Sequence, residues 1–136
     1  MNDRFRFRAW DKIVKVMYSY ELLREHCESD WLHFFEVFKS KNFIPMQCTG
    51  LKDKNVVLIF EGDIIYHETK YEDGSVTKHK KVIEFSMCCF MAKEINPIDT
   101  NMLFIFNMSV FEIIGNIYQH PELLNTANSP QKEGEE

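Results

Sequence analysis

The sequence lacks the long apolar segments that place a protein in or across a membrane. No apolar run in its 136 residues approaches the roughly 20 residues that a membrane-spanning helix needs. The first four residues, Met1 to Arg4, are not followed by the apolar core of a signal peptide. We therefore expect a cytoplasmic protein without a membrane partner.

Motifs of catalysis and metal binding are also missing. The chain contains no Gly-rich phosphate loop, no G-x-S-x-G, no H-E-x-x-H and no Cys/His nucleophile pattern. Its four cysteines form no C-x-x-C pair, and the histidines near them lack the spacing of a zinc site. We expect reduced thiols, no catalytic residue, no metal and no cofactor, and hence a protein that is not an enzyme.

Positive charge is in short supply as well. Sixteen Lys and Arg face 21 Asp and Glu, which gives a net charge of −5 and disfavours broad electrostatic binding of nucleic acid. The chain is instead rich in apolar residues, at 45%, and has 12 phenylalanines. This composition predicts one globular domain over residues 1–125, with a Phe-rich interior, and a polar, flexible tail at residues 126–136.

Apolar side chains recur at every second position, which is the pattern of half-buried strands. Residues 4–9 alternate arginine with apolar residues, and Asp73-Gly74 predicts a tight hairpin before a return strand at residues 76–85. Residues 85–92 are nearly all apolar, which indicates a strand buried on both faces. The fold class predicted is mainly β, a small antiparallel barrel-like or sandwich domain with one or two short helices.

Two segments favour helices in this β-rich chain. Residues 20–26 consist of helix-forming side chains, and Pro121 can begin a short helical turn. Residues 31–38 fit either a helix or a strand, because their aromatic residues have helical spacing but also high β propensity. We interpret that segment as a helix or an irregular stretch.

The stretch from residue 47 to residue 65 organises the prediction. Thr49-Gly50 is expected to open a turn, and residues 52–55 to be a solvated segment. Residues 56–60 then read as a strand, since they are apolar and largely β-branched. Glu61-Gly62-Asp63 interrupts the apolar run, which predicts a bulge or a sharp bend at a barrel corner, with both acids facing water.

The same stretch carries a resemblance. T-G-L-K-D-K-N at residues 49–55, followed by F-E-G-D-I-I at 60–65, resembles the signature of the YopX-like family of phage and prophage proteins, whose usual form is close to T-G-L-K-D-K-N-G-x-x-I-Y-E-G-D-I-V. R-F-R-A-W-D at 6–11 and I-G-N-I-Y-Q-H-P-E-L-L at 114–124 resemble its opening and closing motifs. Val56 replaces the usual Gly, and Phe60 the usual Tyr. The resemblance implies a small, mainly β accessory protein of a phage in a bacterial host, of unknown biochemical activity.

We interpret the protein as a protein-interaction or regulatory module that binds a host or phage protein or a second copy of itself. The candidate binding residues are those of the two signature turns: Thr49, Gly50, Lys52, Asp53, Lys54, Asn55, Glu61, Gly62 and Asp63. Whether the two turns line one cleft decides between a binding role and a structural role for them.

Two other functions stay open. A small nucleic-acid-binding barrel could use the strand face with three arginines, or the hairpin at residues 78–81. Its candidate contacts are Arg4, Arg6, Arg8, Lys78, Lys80 and Lys81. The simpler interpretation of both patches is a solvated sheet face and an exposed, charged hairpin tip. The third hypothesis is a hydrolase or metal enzyme that uses Glu61 and Asp63 as paired carboxylates.

Overall fold

The computed structural model describes residues 6–26, 39–95, 102–104 and 108–125. The strands and helices follow one another along the chain in a fixed order, with short connections wherever consecutive elements belong to one hairpin. In that order they are β1 (Phe7–Asp11), β2 (Val16–Tyr18), α1 (Tyr20–His26), β3 (Phe43–Lys52), β4 (Leu58–Phe60), β5 (Asp63–Lys70), β6 (Val76–Ser86), β7 (Cys89–Glu94), β8 (Met102–Phe104), β9 (Glu112–Asn116) and the 3₁₀ helix Pro121–Leu124.

The described strands form two antiparallel sheets. The first has the order β2-β1-β3-β4 and the second the order β8-β7-β6-β5-β9. In the first sheet, β1 pairs along its whole length with the start of β3, so that Ala9 lies opposite Pro45. Proline has no N–H to donate, and at this position β3 has β1 on one side only, because β4 pairs with the later half of β3. The mainly β prediction is confirmed.

The chain passes from the first sheet to the second at Glu61-Gly62, which is the sharp bend that the sequence predicts. Gly62 has φ +85 and lies so close to the interior that a Cβ would stand 3.3 Å from the sulfur of Met46. Its N–H donates to the carbonyl of Ile83 at 2.8 Å, and its own carbonyl accepts from Ile117 N–H at 3.0 Å. Glycine is required here, because a side chain would be strained at this φ and has little room.

The core lies where β4 of the first sheet meets β5, β6 and β7 of the second. Ile59 packs there with Ile65, Ile83 and Ala92, all of them at most 2% exposed. The predicted Phe-rich interior is wrong for the six phenylalanines whose side chains are described, since none of them is buried. Their rings lie around the core instead; Phe85 and Phe90, for example, meet edge to face at 5.2 Å.

The central stretch differs from its prediction at both ends. Thr49-Gly50 is not a turn but lies inside β3, where the register with β4 shifts between Cys48 and Lys52. The Thr49 hydroxyl donates to the carbonyl of Ile59 at 2.8 Å across this bulge. The strand predicted from residue 56 begins only at Leu58, because Val56 has φ 63 and belongs to the preceding turn.

The prediction of one strand over residues 85–92 is also wrong. The chain reverses at Met87-Cys88, so these residues form the tight hairpin between β6 and β7, with Ser86 opposite Cys89. Both turn residues have positive φ, 52 and 62, a conformation that two-residue hairpins demand and that Asn-Gly adopts with less strain. Nothing in the composition of this apolar run marks the turn.

The predicted helices are found where the structure describes them. α1 spans Tyr20–His26, and the Ser19 hydroxyl accepts from Leu22 N–H at 3.2 Å, as an N-cap does. Pro121 begins the 3₁₀ helix. The ambiguous segment at residues 31–38 and the tail at 126–136 lie outside the described residues. Within the described part, no helix has the length and apolarity that crossing a membrane requires.

Candidate functional site

The first signature aspartate holds the turn between β3 and β4 against β9. Asp53 is 4% exposed, so the prediction that it lies in a solvated segment is wrong. Its Oδ1 accepts from the N–H groups of Asn55 and Val57, both at 2.9 Å, and its Oδ2 accepts from Ile113 N–H at 3.0 Å. Burial would raise the pKa of Asp53, but these three bonds, with help from Lys54, bring it below its ordinary value.

The second signature aspartate ties β1 to the bend between the sheets. Asp63 is 2% exposed, so it does not face water as predicted. Its Oδ1 accepts from Arg8 Nη2 at 2.7 Å, and its Oδ2 accepts from Phe60 N–H at 2.8 Å. Arg8 Nη2 also donates to the carbonyl of Glu61 at 3.2 Å. Burial raises the pKa of the Asp63 carboxyl, while the positive charge of Arg8 opposes that rise.

Asp63 and Arg8 lie at the wall of a cleft of about 280 Å³ between the first sheet, α1 and β9. We call it the arginine cleft, because Arg6 and Arg8 both line it. The Arg8 guanidinium lies 4.9 Å from the centre of the Phe60 ring, and that of Arg6 lies 5.4 Å from the Tyr20 ring. Each cation thus covers an aromatic face, a favourable arrangement electrostatically.

A second cleft, of about 310 Å³, lies on the other side of the bend. We call it the glutamate cleft, because Glu61 and Glu84 line it together with Phe85 and Tyr118. Glu61 is half-buried, and its carboxylate has no hydrogen bond or ion pair within the described part of the chain. Burial raises the pKa of Glu61, partly offset by the charge of Arg8. Burial also raises the pKa of Tyr118, and the negative charge of Glu61 adds to that rise.

The two signature turns do not share a cleft. Asp63 lines the arginine cleft, Glu61 and Gly62 line the glutamate cleft, and residues 49–55 line neither. Glu61 and Asp63 therefore do not present two carboxylates to one ligand, and Asp63 is already held by Arg8. By the criterion set by the sequence, residues 49–55 have a structural role in what is described. Their role in binding stays a prediction.

The basic residues proposed for nucleic acid are divided among several environments. Arg4 lies outside the described residues, and the side chain of Arg8 is only 13% exposed, which corrects the prediction of a solvated arginine face. Lys81 is also buried, its Nζ 3.0 Å from Glu94 Oε2, although a hairpin tip was expected. Lys78 and Lys80 point to the opposite face of β6, because strand residues alternate. The patch at residues 78–81 is thus split between two faces.

Sequence reasoning missed two groups near the glutamate cleft. Tyr118 stacks on Trp10 with ring centroids 5.8 Å apart, which links the β1–β2 hairpin to the wall of the cleft. His120 covers the outer edge of β9 at Gly115, where a Cβ would lie 2.7 Å from the imidazole Nδ1. The motif at residues 114–124 contains both residues, but its spacing gives no hint of which cleft they reach.

Comparisons with known proteins agree with this architecture. Protein EF1440 from Enterococcus faecalis is 22% identical, with a TM-score of 0.50 over 88% of this chain and 97% of that one. Protein yopX from Bacillus subtilis is 16% identical, with a TM-score of 0.50 over 92% of this chain and all of that one (100%). At these identities the likeness concerns the fold alone.

No curated protein matches the sequence. The family model described as YopX protein, however, matches residues 6–125, which include both signature turns, the Arg8 strand and the 3₁₀ helix. The motifs that this match contains are those whose side chains join the two sheets: Arg8 and Asp63 at the bend, and Asp53 at β9. The match extends over most of the sequence, and the chain therefore belongs to the YopX family.

Proposed function

We propose that this YopX-family domain is a protein-interaction module that receives a cationic side chain of its partner in the glutamate cleft. The observation that carries the proposal is the Glu61 carboxylate, which is half-buried and has no ion-pair or hydrogen-bond partner in the described part of the chain. A desolvated, unpaired carboxylate costs free energy that a bound ammonium or guanidinium group would recover. Glu84 doubles the negative charge of the cleft.

The walls of the glutamate cleft support a cationic group on a protein rather than a free metal ion. The rings of Phe85 and Tyr118 line it, and aromatic faces attract lysine and arginine side chains. Beside it, the β6–β7 hairpin ends in Met87, which is 83% exposed, and Phe85 is 53% exposed. Large exposed apolar side chains next to a charged pocket are typical of protein-binding surfaces.

The wider role follows from the family. We propose an accessory protein of a phage or prophage that acts without catalysis in the cytoplasm of the bacterial host. The partner is a host or phage protein, or a second copy of this chain. The net charge of −5 favours a partner with a basic surface, because complementary potentials speed association.

Capture from host lysate, with mass measurement in solution, tests the proposal. The wild-type protein is compared with the double variant Glu61→Gln, Glu84→Gln and with Glu72→Gln, which removes one exposed carboxylate from the β5–β6 turn. We expect a partner or a dimer that the double variant loses and the Glu72 variant keeps. A strictly monomeric protein that recovers nothing, or equal capture by all three proteins, would contradict the proposal.

The nucleic-acid alternative has weaker support, because the buried ion pairs of Arg8 and Lys81 occupy two of its six cations. It makes a separate prediction. Binding through the remaining cations would retain the protein on DNA or RNA at low salt and weaken steeply as salt is added. A lack of retention at low salt would remove this alternative without affecting the interaction proposal.

A further inference from the structure

The arginine cleft combines apolar walls with guanidinium groups, which is how small-molecule sites are commonly built. Its volume of about 280 Å³ equals that of about nine liquid waters at roughly 30 Å³ each. Met17, Val57 and Leu58 supply apolar surface, and the rings of Tyr20 and Phe60 lie under the two guanidinium groups. A ligand of about ten non-hydrogen atoms would fit this space.

Arg8 retains donors that the protein does not use. Both of its hydrogen bonds, to Asp63 and to the carbonyl of Glu61, come from Nη2. Its Nε–H is shielded from solvent and has no hydrogen-bond partner among the described residues. A guanidinium group has five N–H donors, and buried donors without acceptors are rare because they are costly. Arg8 can therefore accept further oxygen ligands without releasing Asp63.

Arg6 is held more loosely than Arg8. Its Nη1 lies 3.5 Å from Glu21 Oε1, and the two side chains are 32% and 68% exposed. The Arg8–Asp63 contact, by comparison, is 2.7 Å long and nearly sealed from solvent. Exposed ion pairs contribute little stability, so a ligand oxygen can replace Glu21 on Arg6 at small cost.

We propose that the arginine cleft binds a monocarboxylate with an apolar body, either as a free molecule or as the C-terminal residue of a polypeptide. The carboxylate takes donors from Arg6 and Arg8, and the apolar body lies against Val57, Leu58 and Met17. Free acids and peptide C-termini share this chemistry, which is why the cleft accepts both in principle.

A single negative charge suits the cleft better than a phosphate dianion. Two arginines and two carboxylates, Glu21 and Asp63, line the cleft, so its formal charge is zero before a ligand enters. Asp63 stays in place because it is buried, and its charge would repel a second negative charge on the ligand. The site is distinct from the glutamate cleft and does not depend on the function proposed for it.

NMR titration of the labelled full chain with 4-methylpentanoate and with its neutral amide tests the proposal. We expect saturable shifts of the Met17 methyl and of the Val57 and Ile113 amides with the acid, and none with the amide. A peptide ending in leucine, with a free or an amidated C-terminus, forms the second arm. Binding of the free acid identifies a small-molecule site, and binding of the peptide alone identifies a polypeptide C-terminus; either supports the proposal.

Three matched variants separate binding from unspecific attraction. Arg6→Gln should weaken the acid about tenfold, since a hydrogen bond to a charged group is lost. Glu21→Gln should tighten it about threefold by removing the competing carboxylate. Arg24→Gln, which removes an exposed arginine elsewhere on α1, should leave affinity unchanged. Equal binding of acid and amide, equal effects of the two arginine variants, or no shift with any ligand would overturn the proposal.

Discussion

Substitution of Asp53 by asparagine should separate the two structural tasks of this side chain. Oδ1 serves Asn55 and Val57, both within the turn, whereas Oδ2 serves Ile113 in β9. Asparagine keeps two bonds if its own oxygen replaces Oδ1, which puts its NH₂ group against the Ile113 N–H. The variant then retains the turn and loses the bond to β9.

The expected cost follows from that single loss. A donor left without an acceptor costs about 1–3 kcal/mol, and because Ile113 is only partly buried we expect about 1–2 kcal/mol for Asp53→Asn. Asp53→Ala removes all three bonds and should cost about 3–5 kcal/mol. Urea unfolding gives these free energies, and amide hydrogen exchange followed by NMR reports each bond separately.

A matched control lies in the β5–β6 turn. There Asp73 accepts from Ser75 N–H at 2.9 Å in the same local geometry, but fully exposed to solvent. Asp73→Asn should leave the unfolding midpoint unchanged. In Asp53→Asn, the Ile113 amide should lose protection while the Asn55 and Val57 amides keep it. The opposite order, or an unchanged free energy of unfolding, would refute the assignment of the two oxygens.

The difference between wild type and Asp53→Asn should also depend on pH. The folded-state pKa of Asp53 lies below its ordinary value of about 3.9. Its ionised form therefore stabilises the fold above that pH, and the contribution is lost as pH falls through the lower folded-state value. We expect the gap in unfolding free energy between the two proteins to narrow below about pH 4. A gap that stays constant down to pH 2.5 would contradict a charge-dependent contribution.

Three further changes test the joint between the sheets and its hairpins. Arg8→Ala leaves Asp63 buried without its cation and should cost about 3–5 kcal/mol, measured by urea unfolding, whereas the double variant Arg8→Met, Asp63→Leu should recover most of that loss. Gly62→Ala should cost about 1–2 kcal/mol, because φ is +85 and a Cβ would lie 3.3 Å from a buried sulfur. Replacing Met87-Cys88 by Asn-Gly should raise the melting temperature, by the equivalent of about 1–2 kcal/mol, because the turn has positive φ at both residues. An unchanged double variant, a harmless Gly62→Ala or a destabilising Asn-Gly turn would each contradict the corresponding reasoning.

Local signals allowed the sequence to predict much of the secondary structure. Alternating residues predicted β1, Asp73-Gly74 predicted the β5–β6 hairpin, and the helix at Tyr20–His26 was predicted at its observed bounds. The hairpin at Met87-Cys88 was missed, because its residues are not those that favour positive φ. There the pairing of β6 with β7 imposes a conformation that the local sequence disfavours.

The sites depended on contacts between distant parts of the chain. By itself the sequence determined a β-rich YopX-family domain and the bend at Glu61-Gly62, since periodicity, turn residues and motif order are properties of neighbouring positions. Only the tertiary structure decided that Asp63 is sealed against Arg8, 55 residues away, and that Glu61 is left without a partner in what is described. Both carboxylates have the same charge and stand two positions apart, so sequence alone could not distinguish them. Their burial and their partners depend on which sheet each one faces when the chain crosses from one sheet to the other.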